Sequence, residues 1–470
     1  MISSEIKAIL DYGNDKIMSE IFKDLIEDYE DLRVKQKEKW ERYNLDKNAI
    51  PIKKRTRPIG TPDYKANNQL VQDFPSLIVD QGRSYFIAID VSTVFDEKLE
   101  SNTKIIDSIN DFNRRNDSHK LNLETALYMG VCGSCGRMLY IDGSNDPNYR
   151  GKERMMNVPP WEIIFIYNRT TNQLDYGMIY YQIKIKNIDN GQLQDVWFVE
   201  WYDSTDVYYY IESTRQPWLF QLDTQESMPH GFEGVPLIEF INNESQKGDF
   251  DRVIDNIDAY DILISDAQNE CEDYRNAYMK FKGVVPDPKT MENAKLTGAF
   301  GSEDPDFDVD YITKDDNGTF LENQKNSLKE NIYKFSKRID FHDRSIITGN
   351  VSGIAMARML QALENDIKMK EINFTAGLRR EYQLLATSFR KKGIDFDPLL
   401  INFIYTRNLP MDLEYYGTIF NAFYGKIPLK LLYSLMPFID NPEKVVNEMK
   451  EEQPNINLDS YNDLENPENE

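Results

Sequence analysis

The sequence predicts an α+β fold, mainly helical, with one antiparallel β meander. Three observations carry that reading. Residues 250–282 contain neither glycine nor proline, and Phe250, Val253, Ile254, Ile257, Tyr260, Ile264, Ala267, Cys271, Tyr274, Tyr278 and Phe281 recur at three- and four-residue steps. That is one stripe of an α-helix, roughly 48 Å long at 1.5 Å per residue. Two further helical patterns occupy about 320–341 and 354–392. Between 158 and 212 the pattern switches to β-branched and aromatic runs, WEIIFIYN, YGMIYYQIKIKN, VWFVEWYD and DVYYYIES, separated by turn residues that include Asn190-Gly191, a strong hairpin signal.

Length and composition narrow the classes. The chain has 470 residues, enough for about three domains, and 40% hydrophobic residues, enough for a real core. Its formal net charge is -24, from 79 acids against 55 bases. Such a surface does not adhere to nucleic acid through bulk charge; if it handles DNA, it does so without gripping phosphate. Neither a signal-like apolar run nor an 18-residue apolar window occurs, so an intracellular protein without membrane contact is expected. Three cysteines, Cys132, Cys135 and Cys271, exclude a disulfide framework and fit a reducing compartment.

The elements follow in order. Residues 15–45 read as a charged helix with Ile17, Ile21, Leu25, Tyr29 and Leu32 as a modest stripe. A basic loop follows, with Lys53, Lys54, Arg55 and Arg57 between Pro51 and Pro58. Residues 67–89 predict a helix broken near Pro75, and 102–130 a helix ending at Gly130. After the meander, residues 229–244 read as a loop and a short strand, and the long helix that follows carries a carboxylate face: Asp251, Asp255, Asp258, Asp261, Asp266, Glu270 and Asp273. The Gly- and Pro-rich stretch 284–318 predicts a small insertion with a strand pair and one short helix. The second helix places Leu321, Leu328, Ile332, Phe335 and Ile339 on one side and Lys325, Lys329, Lys334, Lys337 and Arg338 on its exposed side. The third has a stripe of Met356, Leu360, Leu363, Ile367, Phe374, Leu378, Leu385 and Phe389, with a kink expected at Gly377. Short helices are expected near 412–424, 428–436 and 441–452. The last residues, 455–470, are acidic and predict a disordered tail.

No catalytic constellation emerges. Cys132-Gly-Ser-Cys135 lacks the strand-then-helix setting of a redox pair and lacks two further zinc ligands, so the cysteines are expected to be structural and reduced. The glycines at 130, 133 and 136 are not followed by the Lys-Ser/Thr of a phosphate loop. Three histidines leave little room for a triad, and no G-x-S-x-G occurs. No metal or cofactor is predicted. The abundant carboxylates and the aromatic meander leave a carbohydrate-active enzyme as one alternative, and an intracellular helical scaffold with no DNA role as another.

Three stretches then point to a family. They are Asn68-Gln-Leu-Val-Gln-Asp-Phe-Pro-Ser-Leu-Ile-Val-Asp-Gln81; Gly234-Val-Pro-Leu-Ile-Glu-Phe240 with Asn242-Asn-Glu; and Ile427-Pro-Leu with Leu435-Met-Pro-Phe-Ile-Asp440, Asn-Pro-Glu and Glu448-Met-Lys-Glu-Glu452. In this order, around a long helix, a small insertion, a second helix, a Gly-bounded loop and a third helix, they resemble the portal proteins, or head-to-tail connectors, of long-tailed double-stranded DNA bacteriophages. YMGVCGSCGR at 128–137 departs from the small or apolar residues expected there.

The resemblance implies a ring, usually of twelve copies, at one capsid vertex in the virion, assembled in the host cytoplasm. It implies as partners the double-stranded DNA passing through the tunnel, the terminase large subunit, a head-completion adaptor, and capsid and scaffold proteins. It divides the chain into a wing (1–245 and 355–412), stem helices (246–283 and 319–341), a clip (284–318), a tunnel loop (342–354), a crown (413–454) and the tail. The DNA-facing residues would be Ile346, Ile347, Thr348, Gly349, Asn350, Val351, Ser352 and Gly353. The stem electrostatics would rest on Asp255, Asp258, Asp266, Glu270 and Asp273 against Lys325, Lys329, Lys334 and Lys337.

Overall fold

Two sheets stacked on each other, with helices on both outer faces, organise the larger part of the molecule. The computed structural model describes residues 15–56, 66–96, 102–187, 191–222, 227–274, 279–282, 286–297, 308–311, 318–341, 353–407 and 413–436, with a few isolated residues beside them. These fall into two compact units, 1–405 and 406–470.

In the first unit, α1 spans Asp15–Tyr43, α2 Phe74–Ile87, α3 Thr103–Asn116 and α4 Ser118–Cys132. Strands β2 (Ser134–Ile141), β3 (Glu153–Val158) and β10 (Leu237–Ile241) form an antiparallel sheet in the order β10-β2-β3. The predicted meander is β4 (Ile163–Tyr167), β5 (Leu174–Lys186), β6 (Leu193–Tyr202), β7 (Asp206–Glu212) and β8 (Phe220–Leu222), paired in that sequence, with β9 (Met228–Pro229) also on β7. Period-2 alternation assigns each side chain to a layer. Ile164, Ile166, Met178, Tyr180, Val199 and Trp201 pack under Met18, Ile21, Phe22, Leu25 and Ile26 of α1. Ile163, Ile179, Tyr202 and Val207 face the other way, onto Val158, Val235 and Leu237 of the second sheet's side. That sheet then turns Cys135, Leu139, Met155, Ile238 and Phe240 into the largest core cluster. The opposing wall of this cluster is the third long helix, α8 (Gly353–Lys391). The layer order is therefore α1, meander, second sheet, helices.

Helix α5 (Ile254–Tyr274) and α7 (Gly318–Ser336) pack side by side, the start of one against the end of the other, through Ile257 and Ile332. Phe250, Val253 and those two residues enter a core shared with Phe74, Ile78 and Val79 of α2 and with Val131 and Cys132 of α4. Between them, β11 (Met279–Lys282) pairs antiparallel with β12 (Asp308–Tyr311), and α6 (Pro288–Thr297) sits in the connection. Helix α8 runs Gly353–Lys391, followed by β13 (Ile401–Ile404), which pairs with β1 (Ser92–Phe95). The second unit contains α9 (Leu413–Phe423) and α10 (Leu429–Ser434), joined through Gly425 at φ 75° and packed by Phe420 on Tyr433.

Several expectations change. The helix expected over 250–282 is 21 residues, about 31 Å. Its last expected turn is instead β11, because Met279–Lys282 gains a partner strand in β12. Pro75 does not break a helix but begins one, at a position where its missing N–H is not needed. The helix expected over 102–130 is two, separated at Asp117 in the left-handed region (φ 50°), and the second ends at Cys132 with Gly133 as its cap at φ 94°. The second long helix stops at Ser336; Phe335 is exposed rather than on the packed side, and Arg338 is wholly buried rather than exposed. The residues expected as a disordered tail, 455–470, lie outside the described ones.

Helix α8 continues through Gly377. Gly377 allows close approach: a Cβ there would overlap the Phe240 ring of β10. Alanine in a helix interior normally gains about 1 kcal/mol over glycine, whereas overpacking a filled core costs about 1–3 kcal/mol. Gly377→Ala should therefore lower the thermal midpoint, and Phe240→Leu should relieve much of that loss. A raised midpoint in Gly377→Ala alone, by calorimetry, would refute the packing account.

Candidate functional site

The predicted acidic face of α5 is largely occupied by the chain itself. Lys39 of α1 pairs with Asp251 at 2.5 Å, and Arg42 grips Asp258 with both nitrogens at 2.8 and 3.0 Å. Arg55, from the basic loop, pairs with Asp266. Residues 68–72 then run along the helix as an extended strap. The amide N–H of Gln72 donates to Asp261 Oδ1 at 2.8 Å, that of Leu70 to Ser265 Oγ at 2.9 Å, and that of Asn68 to Asn269 Oδ1 at 2.6 Å. The spacing explains the fit. Four helical residues rise about 6 Å, and two extended residues span about 6.6 Å, so every fourth side chain meets every second amide. The signal was present in the sequence as Asp261, Ser265 and Asn269 at i, i+4 and i+8.

Burial pushes the Asp261 carboxyl up to about 6, partly opposed by the Gln72 N–H it accepts. Because it titrates near its ordinary 3.8 in the unfolded chain, the folded state holds the proton more tightly. This contribution to stability is present below about pH 4 and is lost as pH rises through 6. Asp261→Asn keeps an acceptor for Gln72 and removes the charge. It should stabilise the chain at pH 7.5 by on the order of 2 kcal/mol and change little at pH 4. Denaturant midpoints of variant and parent at both pH values check this; equal differences at the two would contradict it.

A second cluster lies where α7 ends. Lys337 takes the left-handed conformation (φ 57°), and the Arg338 N–H turns back to the Tyr333 carbonyl at 3.0 Å, with the Lys337 N–H on Lys334 at 3.3 Å. This is a Schellman termination with lysine in glycine's usual place. It delivers Arg338 inward. The guanidinium donates to the Ile78 carbonyl at 2.8 Å, to Asp249 at 2.7 Å and to Asp366 of α8 at 3.1 Å. Lys370 of α8 donates to both Asp249 oxygens at 2.6 Å, and Asn242 to one of them at 2.9 Å. The Arg338 and Asp249 side chains are 0% and 3% exposed. Gly82 leaves the guanidinium its room. Burial pulls the Lys370 ammonium below the usual lysine range, against the pull of Asp249. A further buried pair, Arg137 with Glu381 at 2.5 Å, ties β2 to α8, the arginine lying over the Phe240 ring. Composition alone hid these groups, but Lys370 and Glu381 interrupt the apolar stripe of α8 at core positions, which is a readable signal.

The expected site residues are thus distributed. Asp258 and Asp266 are paired with Arg42 and Arg55; Asp255 is exposed; Glu270 is half-buried; Asp273 lies in the last turn of α5. Lys325 pairs with Glu322 and Lys329 with Asp340, each at 2.5 Å, and Lys337 with Asp366 at 2.9 Å. Lys334 is exposed beside Phe335. None of these lysines pairs with the acids of α5 among the described residues. Ile346, Ile347, Thr348, Gly349, Asn350, Val351 and Ser352 lie outside the described residues, and Gly353 opens α8. Cys132 and Cys135 are buried free thiols, both pushed up by burial, Cys135 to about 12, which leaves neither as a nucleophile at neutral pH. Gly133 between them is required because a Cβ would overlap the Gln246 carbonyl. The aromatic residues on which a sugar site would rest, Trp197, Trp201 and Tyr210, are core residues under α1. No described helix is long and apolar enough to cross a membrane.

A long helix pair, a strand-pair insertion between its members, and a third long helix bonded to the second sheet and to the pair's root describe a structural assembly unit. Residues 23–457 match the family described as phage portal protein, SPP1 Gp6-like, and the chain belongs to that family. The portal protein of Bacillus phage SPP1 is 24% identical over 435 residues, covering 87% of this chain and 82% of that protein. The portal protein of Clostridium phage phiCD119 is 24% identical over 431 residues, covering 86% and 89%. The chain is a bacteriophage portal protein by family, as its motif order implied.

Removing one partner from a buried ionic cluster strands the others and costs about 3–5 kcal/mol. Arg338→Met should lower stability by that amount, whereas Lys334→Met, on the exposed face of α7, should change it by less than about 0.5 kcal/mol. Similar unfolding midpoints for the two variants would show that the cluster does not anchor α7.

Proposed function

We propose that copies of this chain close into a ring, twelve-fold in the virion, at one vertex of the capsid, and that double-stranded DNA passes through its central hole during packaging and ejection. The observation that carries the reading is the family match over residues 23–457. On it, residues 1–245 and 355–412 act as the wing, 246–283 and 319–341 as the stem, 284–318 as the clip, and 413–454 as the crown. The terminase large subunit and a head-completion adaptor would dock on the ring, with capsid and scaffold proteins around it. The ring works as a conduit: it holds a path open and leaves the hydrolytic chemistry to the motor.

The charge distribution supports a passive path. A sliding polyanion is slowed by fixed cations, since each phosphate contact must be broken as DNA advances. Lys325, Lys329 and Lys337 each have a carboxylate partner, and Arg42 and Arg55 are held by α5. The exposed acids that remain, such as Asp255, repel phosphate. Segment 342–354 would supply the DNA-facing loop, apolar at Ile346, Ile347 and Val351. The cluster of Arg338, Asp249, Lys370 and Asp366 ties the end of α7 to α8, the two helices between which that segment runs.

Native mass measurement or negative-stain imaging of the purified chain should show closed rings; monomers alone across a range of salt and concentration would overturn the ring. Substituting Val351→Asp or Ile347→Asp should slow DNA packaging several-fold while leaving rings intact. Packaging at the parental rate would remove the loop from the DNA path.

A further inference from the structure

The two outer layers of the first unit carry opposite charge. On α1, the side turned away from the meander presents Glu20, Asp24, Glu27 and Asp31 at four- and three-residue steps, all exposed, with Val34 exposed beside them. Glu20, Asp24 and Asp31 have no ion pair among the described residues, and Glu27 has a loose one with Lys23 at 3.8 Å.

On the opposite layer, α8 has two seams. The inner one, with Leu363, Ile367, Phe374 and Leu378, is buried in the main core. The outer one repeats at alternating three- and four-residue steps through Ala362, Asn365, Met369, Ile372, Ala376 and Arg379, all exposed. Met369 is 56% and Ile372 64% exposed. A 3.5-residue apolar repeat is the pattern of a helix packed on another helix, and a helix apolar on two sides is made to be covered on both. Arg358 and Arg379 stand at either end of the seam without an acid partner among the described residues. Beside it opens a groove of about 1270 Å³, lined by Ala376, Arg380 and Gln383 and by the turn between β4 and β5.

Closed rings are built from heterologous contacts, in which two different surfaces of one chain meet on neighbouring copies. Such surfaces must be complementary. The layer order α1, meander, second sheet, α8 puts these two faces in different layers of the unit. We propose that the α1 ridge of one copy packs on the outer α8 seam of the next, with the acids toward Arg358 and Arg379 and with Val34 toward Met369 and Ile372. The inference rests on the ring reading and names the contact that closes it. The occupant of the seam is a second copy of this chain.

Charge reversal tests it. Arg358→Glu with Arg379→Glu, and separately Asp24→Lys with Asp31→Lys, should each reduce the ring fraction at least tenfold at equal concentration, read by sedimentation velocity. Mixing the two variants should restore contacts between unlike copies and recover mixed assemblies. Circular dichroism reports whether each variant is folded. Independently of variant folding, Val34→Cys with Met369→Cys in a Cys271→Ser background, treated with a bis-maleimide spanning about 10 Å, the separation of packed helix axes, should give a ladder of linked copies from assembled rings. Rings indifferent to both reversals, no recovery on mixing folded variants, or no ladder from intact rings would each overturn the contact. Rings intact with altered DNA passage alone would mean that the seam faces DNA instead, which also overturns it. A parent chain that stays monomeric would sink the ring reading itself and this contact with it.

Discussion

The buried contact between Arg338 and Asp249 is the constraint on which the rest of the architecture depends. One arginine, with no exposed side-chain surface, bonds the carbonyl of α2, the carboxylate ahead of α5 and a carboxylate of α8. Each of those elements belongs to a different part of the chain. Desolvating such charges is unfavourable, and pairing compensates only when the geometry leaves few lone pairs or protons unmet. Here Lys370, Asn242 and main-chain groups complete the set. An apolar cluster could supply as much stability but would tolerate rotation of the helices. Hydrogen bonds aimed from several directions fix where α7 must stop and how α8 must lie.

The same logic recurs along α8. Glu381 with Arg137 and Ser388 with Glu153, at 2.5 and 2.6 Å, repeat buried polar bonds at intervals along the helix that faces the second sheet. Apolar packing sets the distance between helix and sheet, with Gly377 admitting Phe240. The polar bonds set the helix's register. Together they make a rigid plate out of sequence regions separated by more than two hundred residues.

Much of this was legible. The meander strands followed from β-branched and aromatic runs because one face of the sheet meets α1 and the other meets a second sheet, so both faces carry apolar residues. The third helix, expected over 354–392, spans Gly353–Lys391, since a long two-sided helix has an unambiguous period. Boundaries failed where partners override local pattern. Met279–Lys282 continues a helical stripe on paper and becomes a strand because Asp308–Tyr311 lies beside it. Asp117 splits a helix through a backbone conformation that its residue type permits but does not demand. The electrostatic reading was least visible. Asp258 and Asp266 look solvated in sequence, and their partners Arg42 and Arg55 lie some two hundred residues earlier. Nothing in local spacing links them, whereas Lys370 and Glu381, which the sequence reading passed over, are charged residues inside an apolar stripe.

The strap along α5 has a mechanical meaning. Its amides and the helix side chains keep step because two different repeats happen to agree over three rungs, Gln72 on Asp261, Leu70 on Ser265 and Asn68 on Asn269. The agreement works like a vernier: it holds at one setting, and displacement by a single residue turns the amides away and misses every rung together. Segment 68–72 therefore cannot creep along the helix under load. A pull on α5 is passed directly to α2, a few residues further on, and from α2 through Arg338 to α8, so axial force on the long helices is spread across the whole body before any one element slides.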